Sequence, residues 1–282
     1  MPELPEVETI RRELGRELGG RRITGVEILH EDLLLGGRTP ASFTRRVRDR
    51  SILDVSRRAK VLLFTLGPPP GSSSRTLIMR VQLRMSGRFW LGVEPPDPGE
   101  FRHPGVRFLL DDGRTLHYDD VRRLGGFDLL EERAWANVAR GLGPEPLESG
   151  FTSPALQRIL ARRRAPVKNV LLDQRRVAGI GNIYASEALF RAGIDPRRPG
   201  GTLTGDEIRA LRNAIRAVLR EALRAAGTTL RNYRAANGES GRFQARLRVY
   251  GRAGAACTRC RGNVERTTQA GRSTFFCPVC QT

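Results

Sequence analysis

Lysine is almost missing from this chain: of 49 cationic side chains, only Lys60 and Lys168 are lysines. An arginine stays protonated, whereas a lysine amine can pass on a proton or act as a compact point charge. The two positions therefore mark candidate sites for work a guanidinium cannot do, although a GC-rich genome would also favour arginine. Cysteine is confined to four positions, Cys257, Cys260, Cys277 and Cys280. No apolar run approaches the ~20 residues that span a bilayer, and this excludes a membrane helix. The opening Met1-Pro2-Glu3-Leu4-Pro5-Glu6 lacks the basic and apolar regions of a secretory leader, which predicts a cytoplasmic location. No internal repeat or coiled-coil pattern is present, so a monomer is expected.

Acidic residues are also short. Thirty Asp and Glu against 49 Lys and Arg leave a net charge of +19, too basic for an ordinary enzyme of small anions, and nucleic acid becomes the leading partner. At 282 residues the chain has room for two or three domains with real cores.

Residues 5–18 read as a helix. Pro5 suits the first turn, Glu6 and Glu8 suit the positive end, and Val7, Ile10, Leu14 and Leu18 share one face. Short β-type runs follow at Val26–Leu29, Ile52–Val55, Val61–Leu66 and Val106–Leu110. Leu77–Met85 alternates at period two between an apolar and a largely cationic face. Asp111-Asp112-Gly113 predicts a hairpin into Thr115–Tyr118. The fold class expected is α+β multidomain: an N-terminal β-sandwich with a flanking helix over 1–138, a linker at 139–152, a helical domain over 153–242, and a hairpin over 243–282. In the helical part, Ser153-Pro154 reads as a helix start. Gly179-Ile180-Gly181-Asn182 turns into a helix closed by Gly193, and Thr204 with Glu207 forms a capping box ahead of a helix stopped by Gly227.

The cysteines stand as Cys257-x2-Cys260, sixteen residues, then Cys277-x2-Cys280. Two such pairs suit one tetrahedral Zn²⁺; two disulfides or unrelated thiols are the alternative. With four protein ligands the ion would be structural, ordering arginine-rich flanks, and no thiol is left for catalysis.

Several motifs occur in order along the chain. They are Met1-Pro2-Glu3-Leu4-Pro5-Glu6-Val7-Glu8, Arg57-Arg58-Ala59-Lys60, Met85-Ser86-Gly87, Asp120-x-Arg122-Arg123-x-Gly125, Leu142-Gly143-Pro144-Glu145-Pro146-Leu147, Gly179-Ile180-Gly181-Asn182-Ile183-Tyr184-Ala185 and Val249-Tyr250-Gly251-Arg252, with the cysteine hairpin last. In this the chain resembles the formamidopyrimidine-DNA glycosylase family, bifunctional enzymes that excise oxidised purines, over essentially its whole length. Leu4 is similar to the purine-lesion branch.

The resemblance implies a sandwich domain, a helix-two-turns-helix domain and a zinc hairpin, acting on damaged double-stranded DNA in a bacterial cytoplasm, at the nucleoid. Pro2 would be the nucleophile once Met1 is removed. A terminal secondary amine, with a pKa near ~8, keeps a useful neutral fraction at physiological pH. On its residues alone Pro2 reads equally as a helix-entry proline. Glu3 resembles the family's acid catalyst. Lys60 resembles a lysine that meets a flanking phosphate and assists proton transfer, and Arg272 one that binds the lesion phosphate and serves the second elimination. Lys168 and Asn182 resemble phosphate clamps, and Arg164 a DNA contact or a solvated cation. Glu6 reads as a helix-dipole residue or a support for the amine beside the DNA. Met85 resembles the wedge beside the extruded base, with core packing as its alternative. Arg122 resembles the residue that reaches the estranged base, and His103 a DNA contact. Residues 231–243 correspond to the loop that caps an extruded purine.

The family pattern is broken at Gln82, where histidine is usual, at Arg84 for glycine, and at Gly105 for a second histidine. Leu124 replaces the aromatic wedge in Asp120-Val121-Arg122-Arg123-Leu124-Gly125. A leucine fills a kink but cannot stack as a flat ring does. These departures leave two rivals: an enzyme shifted towards abasic sites or oxidised pyrimidines, and a non-catalytic damage-binding protein.

Overall fold

The computed structural model describes residues 2–94, 97, 99, 101–228 and 241–282. Met1 and residues 231–240 of the expected capping loop lie outside the described residues. The chain forms two compact units, Met1–Arg140 with Ala226–Arg242, and Gly141–Ala225 with Phe243–Thr282. Compactness thus groups the cysteine hairpin with the helices that precede it.

The first unit contains α1 (Leu4–Leu18), β1 (Ile23–Ile28), α2 (Pro40–Val47), β2 (Ile52–Arg58), β3 (Val61–Leu66), β4 (Leu77–Gln82), β5 (Arg88–Gly92), β6 (Pro104–Leu110), β7 (Thr115–Asp119), β8 (Gly126–Glu131) and α3 (Glu132–Arg140). Its strands pair antiparallel in two four-stranded sheets, ordered β1-β6-β7-β5 and β2-β3-β4-β8. The fold class expected from sequence is therefore present. Phe64, Phe89, Phe108, Tyr118 and Phe127 meet mostly edge to face in the core, and the α1 stripe Val7, Ile10, Leu14 and Leu18 is buried in the same cluster. The hairpin at Asp111–Gly113 is present, with Gly113 at φ 82°.

Three local expectations change. β4 ends at Gln82 rather than Met85, because Arg84 turns left-handed (φ 49°) and the Gly87 N–H closes on the Leu83 carbonyl at 2.9 Å. Two short helices, α2 and α3, went unpredicted. In α2, Thr39 accepts the Ser42 N–H and Pro40 opens the first turn, a start signal followed by only two turns of helix. In α3 no residue is buried, so no apolar stripe faces a core.

The second unit contains α4 (Ser153–Leu160), α5 (Val167–Leu172), α6 (Asn182–Ala192), α7 (Gly205–Arg224), β9 (Glu265–Gln269) and β10 (Arg272–Phe276). The α4 cap is Thr152, one residue before the expected Ser153; its hydroxyl accepts the Ala155 N–H. The capping box of Thr204 and Glu207 and the left-handed Gly193 closing α6 are as expected. α7 stops at Arg224, short of Gly227, because Ala226 already takes the left-handed turn (φ 55°). The segment with linker composition is packed: the Gly143 N–H donates to the Gln174 carbonyl, and a Cβ at Gly143 would sit 2.4 Å from the Arg176 carbonyl oxygen.

Candidate active site and nucleic-acid interface

In the first unit, Pro2 and Glu3 lie buried just ahead of α1, with Glu3 as its N-cap. Glu6, grouped with DNA contacts on sequence, faces inward and is 1% exposed. One of its oxygens accepts the Glu3 N–H at 2.8 Å and the other accepts the Thr228 N–H at 2.8 Å. It thereby fixes the peptide that follows Pro2, and it ties α1 to a position 222 residues away. Gly227 (φ 84°) lies against the same carboxylate, where a Cβ would approach Oε1 to 2.9 Å.

Lys60 sits half-buried in the turn between β2 and β3. The neighbouring Arg57 donates from Nη1 to the Ala59 carbonyl at 2.8 Å and from Nε to Glu8 Oε2 on α1 at 3.0 Å. Burial pushes the Glu8 carboxyl up, but hydrogen bonds from Arg11, Arg12 and Arg57 outweigh it and hold the group below its ordinary value.

The expected wedge residues surround one carboxylate. Asp120 is fully buried and accepts from Ser86 Oγ (2.5 Å), the Arg122 N–H (3.2 Å), the Gly125 N–H (2.8 Å) and the Tyr118 hydroxyl (3.3 Å). Burial, then the Asp120 charge, raise the Tyr118 phenol far above its usual range, so it stays a donor. Glycine is required at Gly87 and Gly125: a Cβ would lie 2.3 Å and 2.0 Å from the Tyr118 hydroxyl oxygen. The two loops held this way present Met85, 44% exposed, Val121, 45%, and Leu124, 52%. Arg122 reaches the Met85 sulfur at 3.5 Å. Met85 is thus a surface side chain, not a core one. His103 is exposed, and its backbone N–H is tied to Asp119 Oδ1 at 2.6 Å.

In the second unit, Lys168 is 0% exposed, and its ammonium donates to the Ser273 carbonyl (3.1 Å) and Thr274 Oγ1 (2.7 Å). Asn182 donates to the same Ser273 carbonyl at 2.9 Å. Both residues expected as phosphate clamps therefore converge on the main chain of β10, next to the exposed Arg272. Arg164 is exposed beside Arg162, Arg163 and Arg176 around a concavity that also includes Asp173.

The four cysteine sulfurs lie within 4.8 Å of one another, with Cys257 and Cys280 Sγ at 3.8 Å and Cys260 and Cys277 Sγ at 3.5 Å. A tetrahedron with ~2.3 Å Zn–S bonds has edges of about 3.8 Å, so the thiols fit one Zn²⁺. Backbone N–H groups of Arg259 and Gly262 point at Cys257 and Cys260. Burial pushes the Cys257 thiol up, yet the N–H groups of Arg259 and Cys260 bring it down to about 7. Burial and the neighbouring thiols push Cys280 up to about 12. Four thiolates this close require a cation to stay ionised together.

Residues 1–127 match the model of the formamidopyrimidine-DNA glycosylase N-terminal domain, 142–234 that of the formamidopyrimidine-DNA glycosylase H2TH domain, and 254–282 that of the zinc finger found in FPG and IleRS. The chain is 47% identical over 281 residues to the formamidopyrimidine-DNA glycosylase of Chloroflexus aggregans, covering 100% of this chain and 98% of the relative. The chain belongs to the formamidopyrimidine-DNA glycosylase family. Among family structures, that of MutM (FPG) from Thermus thermophilus is 40% identical with a TM-score of 0.85, covering 99% of this chain and 98% of that one. A Lactococcus lactis FPG mutant in complex with Fapy-dG-containing DNA is 32% identical with a TM-score of 0.89, covering 100% of both chains. The zinc-finger match and the sulfur geometry agree on one structural Zn²⁺.

Two departures from the family pattern have structural counterparts. At Gly105, where the family usually has histidine, Leu33 occupies the space: a Cβ there would lie 2.3 Å from Leu33 Cδ1. At Leu124 the exposed tip of the loop is aliphatic, and Val121, three residues earlier, is exposed as well.

Several residues that build the site were missed as such. Asp120 stands at the head of a motif, and the tendency of an aspartate to bond the N–H two residues on, seen here at Arg122, is the available signal. Glu187 is a charge inside the largely apolar, buried stretch Ile183–Phe190, itself a hint of a buried function. Its carboxylate accepts the N–H groups of Arg248, Val249 and Tyr250 at 2.9 to 3.0 Å. The Glu8–Arg57 pair had no local signal, since its partners stand 49 residues apart.

Proposed function

We propose that this protein is a base-excision-repair DNA glycosylase that removes oxidised purines, 8-oxoguanine and formamidopyrimidines, from duplex DNA and then cleaves the strand as an abasic-site lyase. The observation that carries this reading is the placement of Pro2 and Glu3 at the buried, hydrogen-bonded start of α1. In this reading the Pro2 nitrogen, freed of Met1, attacks C1′ of the damaged nucleotide while Glu3 supplies a proton to the sugar ring oxygen or the departing base. The resulting iminium withdraws electrons and acidifies the adjacent C2′ proton. Its removal expels the 3′ phosphate, and a second elimination, assisted at Arg272, expels the 5′ phosphate. Lys60 meets a flanking phosphate and assists proton transfer. Met85 and Leu124 fill the space left by the extruded nucleotide, and Arg122 reaches the estranged base. His103 and Arg164 add backbone contacts, whereas Lys168 and Asn182 support the backbone beside Arg272. The protein acts as a monomer on the bacterial nucleoid.

Borohydride reduction during turnover tests the nucleophile: the expected adduct joins DNA to the peptide beginning at Pro2, and an adduct on a lysine peptide defeats the assignment. Pro2→Gly should lose base excision more than DNA affinity.

The aliphatic tip at Leu124 and the glycine at position 105 favour a second reading with altered lesion preference. Lactococcus lactis FPG has been solved in complex with abasic-site DNA and with oxidised-pyrimidine DNA, so that relative binds such duplexes. A panel of duplexes carrying 8-oxoguanine, thymine glycol or an abasic site separates the two. Slow 8-oxoguanine cleavage beside rapid cleavage of the others would select the second.

A further inference from the structure

The turn that carries Lys60 is held in a conformation its own residues disfavour. Ala59 adopts φ 55°, the left-handed region in which a Cβ is unfavourable. Arg57 accounts for its persistence, since its Nη1 grips the Ala59 carbonyl at 2.8 Å. The same guanidinium reaches Glu8 on α1 through Nε at 3.0 Å, and both side chains are largely shielded, at 11% and 14% exposure. Glu8 is itself braced by Arg11 and Arg12. A planar cation therefore joins the helix that Pro2 and Glu3 lead into to the turn that bears Lys60.

We propose that Arg57 is a positioning residue for strand cleavage: it locks the Lys60 turn onto α1, so that the lysine ammonium keeps a fixed relation to the N-terminal amine while the sugar passes through elimination. This rests on the roles given above to Pro2 and Lys60. The planar fork is essential to it, because Glu8 and the Ala59 carbonyl are met by two different nitrogens held apart in one rigid plane, whereas a lysine at 57 keeps the charge but gathers its donors at a single flexible point.

The test uses the full-length protein and a duplex with a preformed abasic site, measuring single-turnover cleavage, borohydride trapping and DNA affinity. Cleavage and trapping at Pro2 by the unaltered protein are established first; their absence would remove the function itself, separately from the role of Arg57. Arg57→Lys should then slow cleavage by about tenfold with affinity within about twofold. In a Lys60→Ala background the same substitution should cost less than about threefold, since a residue acting through Lys60 loses its effect when Lys60 is gone. An undiminished penalty in that background, or wild-type cleavage by Arg57→Lys, would overturn the proposal. Should Arg57→Lys fail to fold, Glu8→Gln cuts the other arm of the link and must show the same non-additivity with Lys60→Ala.

Discussion

The polar groups around Ser273 and those around Asp120 solve opposite problems. At Ser273, in the second unit, residues that resemble DNA clamps turn inward: Lys168 and Asn182 both donate to a main-chain carbonyl. At Asp120, in the first unit, one buried carboxylate gathers donors from two loops and leaves apolar tips outside. The contrast teaches that a motif residue's type does not reveal which way it faces. A buried charge with several donors or acceptors organises backbone, and the residue one position along from that backbone is left exposed. Arg272 stands in that relation to Ser273, and Leu124 to Gly125.

The sharpest way to break the comparison is to dismantle the second unit alone. Stripping zinc with a strong chelator, or Cys277→Ser, should remove about 10 kcal/mol of metal-linked folding energy there. One zinc per chain should be released, and circular dichroism should show a lost melting transition while the sandwich still melts cooperatively. Next in size is Glu187→Gln. Three consecutive N–H groups lose a charged acceptor, and stability in denaturant should fall by about 2–4 kcal/mol. No change would mean that the turn at Arg248–Tyr250 holds itself.

A smaller effect distinguishes the first unit by pH. Glu8 is held below its ordinary value of 4.5 by Arg11, Arg12 and Arg57, against the opposing push of burial. Its folded value is lowered, so its stabilisation is complete above about 4.5 and is lost as pH falls through the depressed value. Melting temperatures of Glu8→Gln should therefore converge with those of the parent at low pH and separate above it. The smallest effect belongs to the loop tip. Leu124→Phe restores a stacking ring, and lesion-duplex affinity should rise by about 0.5–1 kcal/mol with stability unchanged. Equal affinities would show that the aliphatic tip costs nothing.

Much of this architecture was legible in the sequence. β3 runs over Val61–Leu66 as its apolar run predicts, and the α1 stripe packs where its spacing placed it. The cysteine spacing foretold the sulfur cluster. What could not be read was partnership at a distance. Ser86 meets Asp120 from 34 residues away, Glu6 meets Thr228 from 222, and Lys168 meets Thr274 from 106. Local pattern determines which face of a strand or helix is apolar, but only the packed chain determines which carbonyl a buried ammonium finds. Lys168 was singled out by rarity and its direction was still missed. The expected strand through Met85 failed for a similar reason, since Arg84 follows the demands of the turn above Asp120 rather than the alternation of the run before it.

The leucine filling the hollow at Gly105 ties the fate of that position to its own. A mutation to histidine alone would drive a ring into Leu33, while trimming Leu33 alone would open a void among closely packed neighbours. The two positions are thus energetically coupled, and an imidazole at 105 is accommodated best when Leu33 shifts or changes with it.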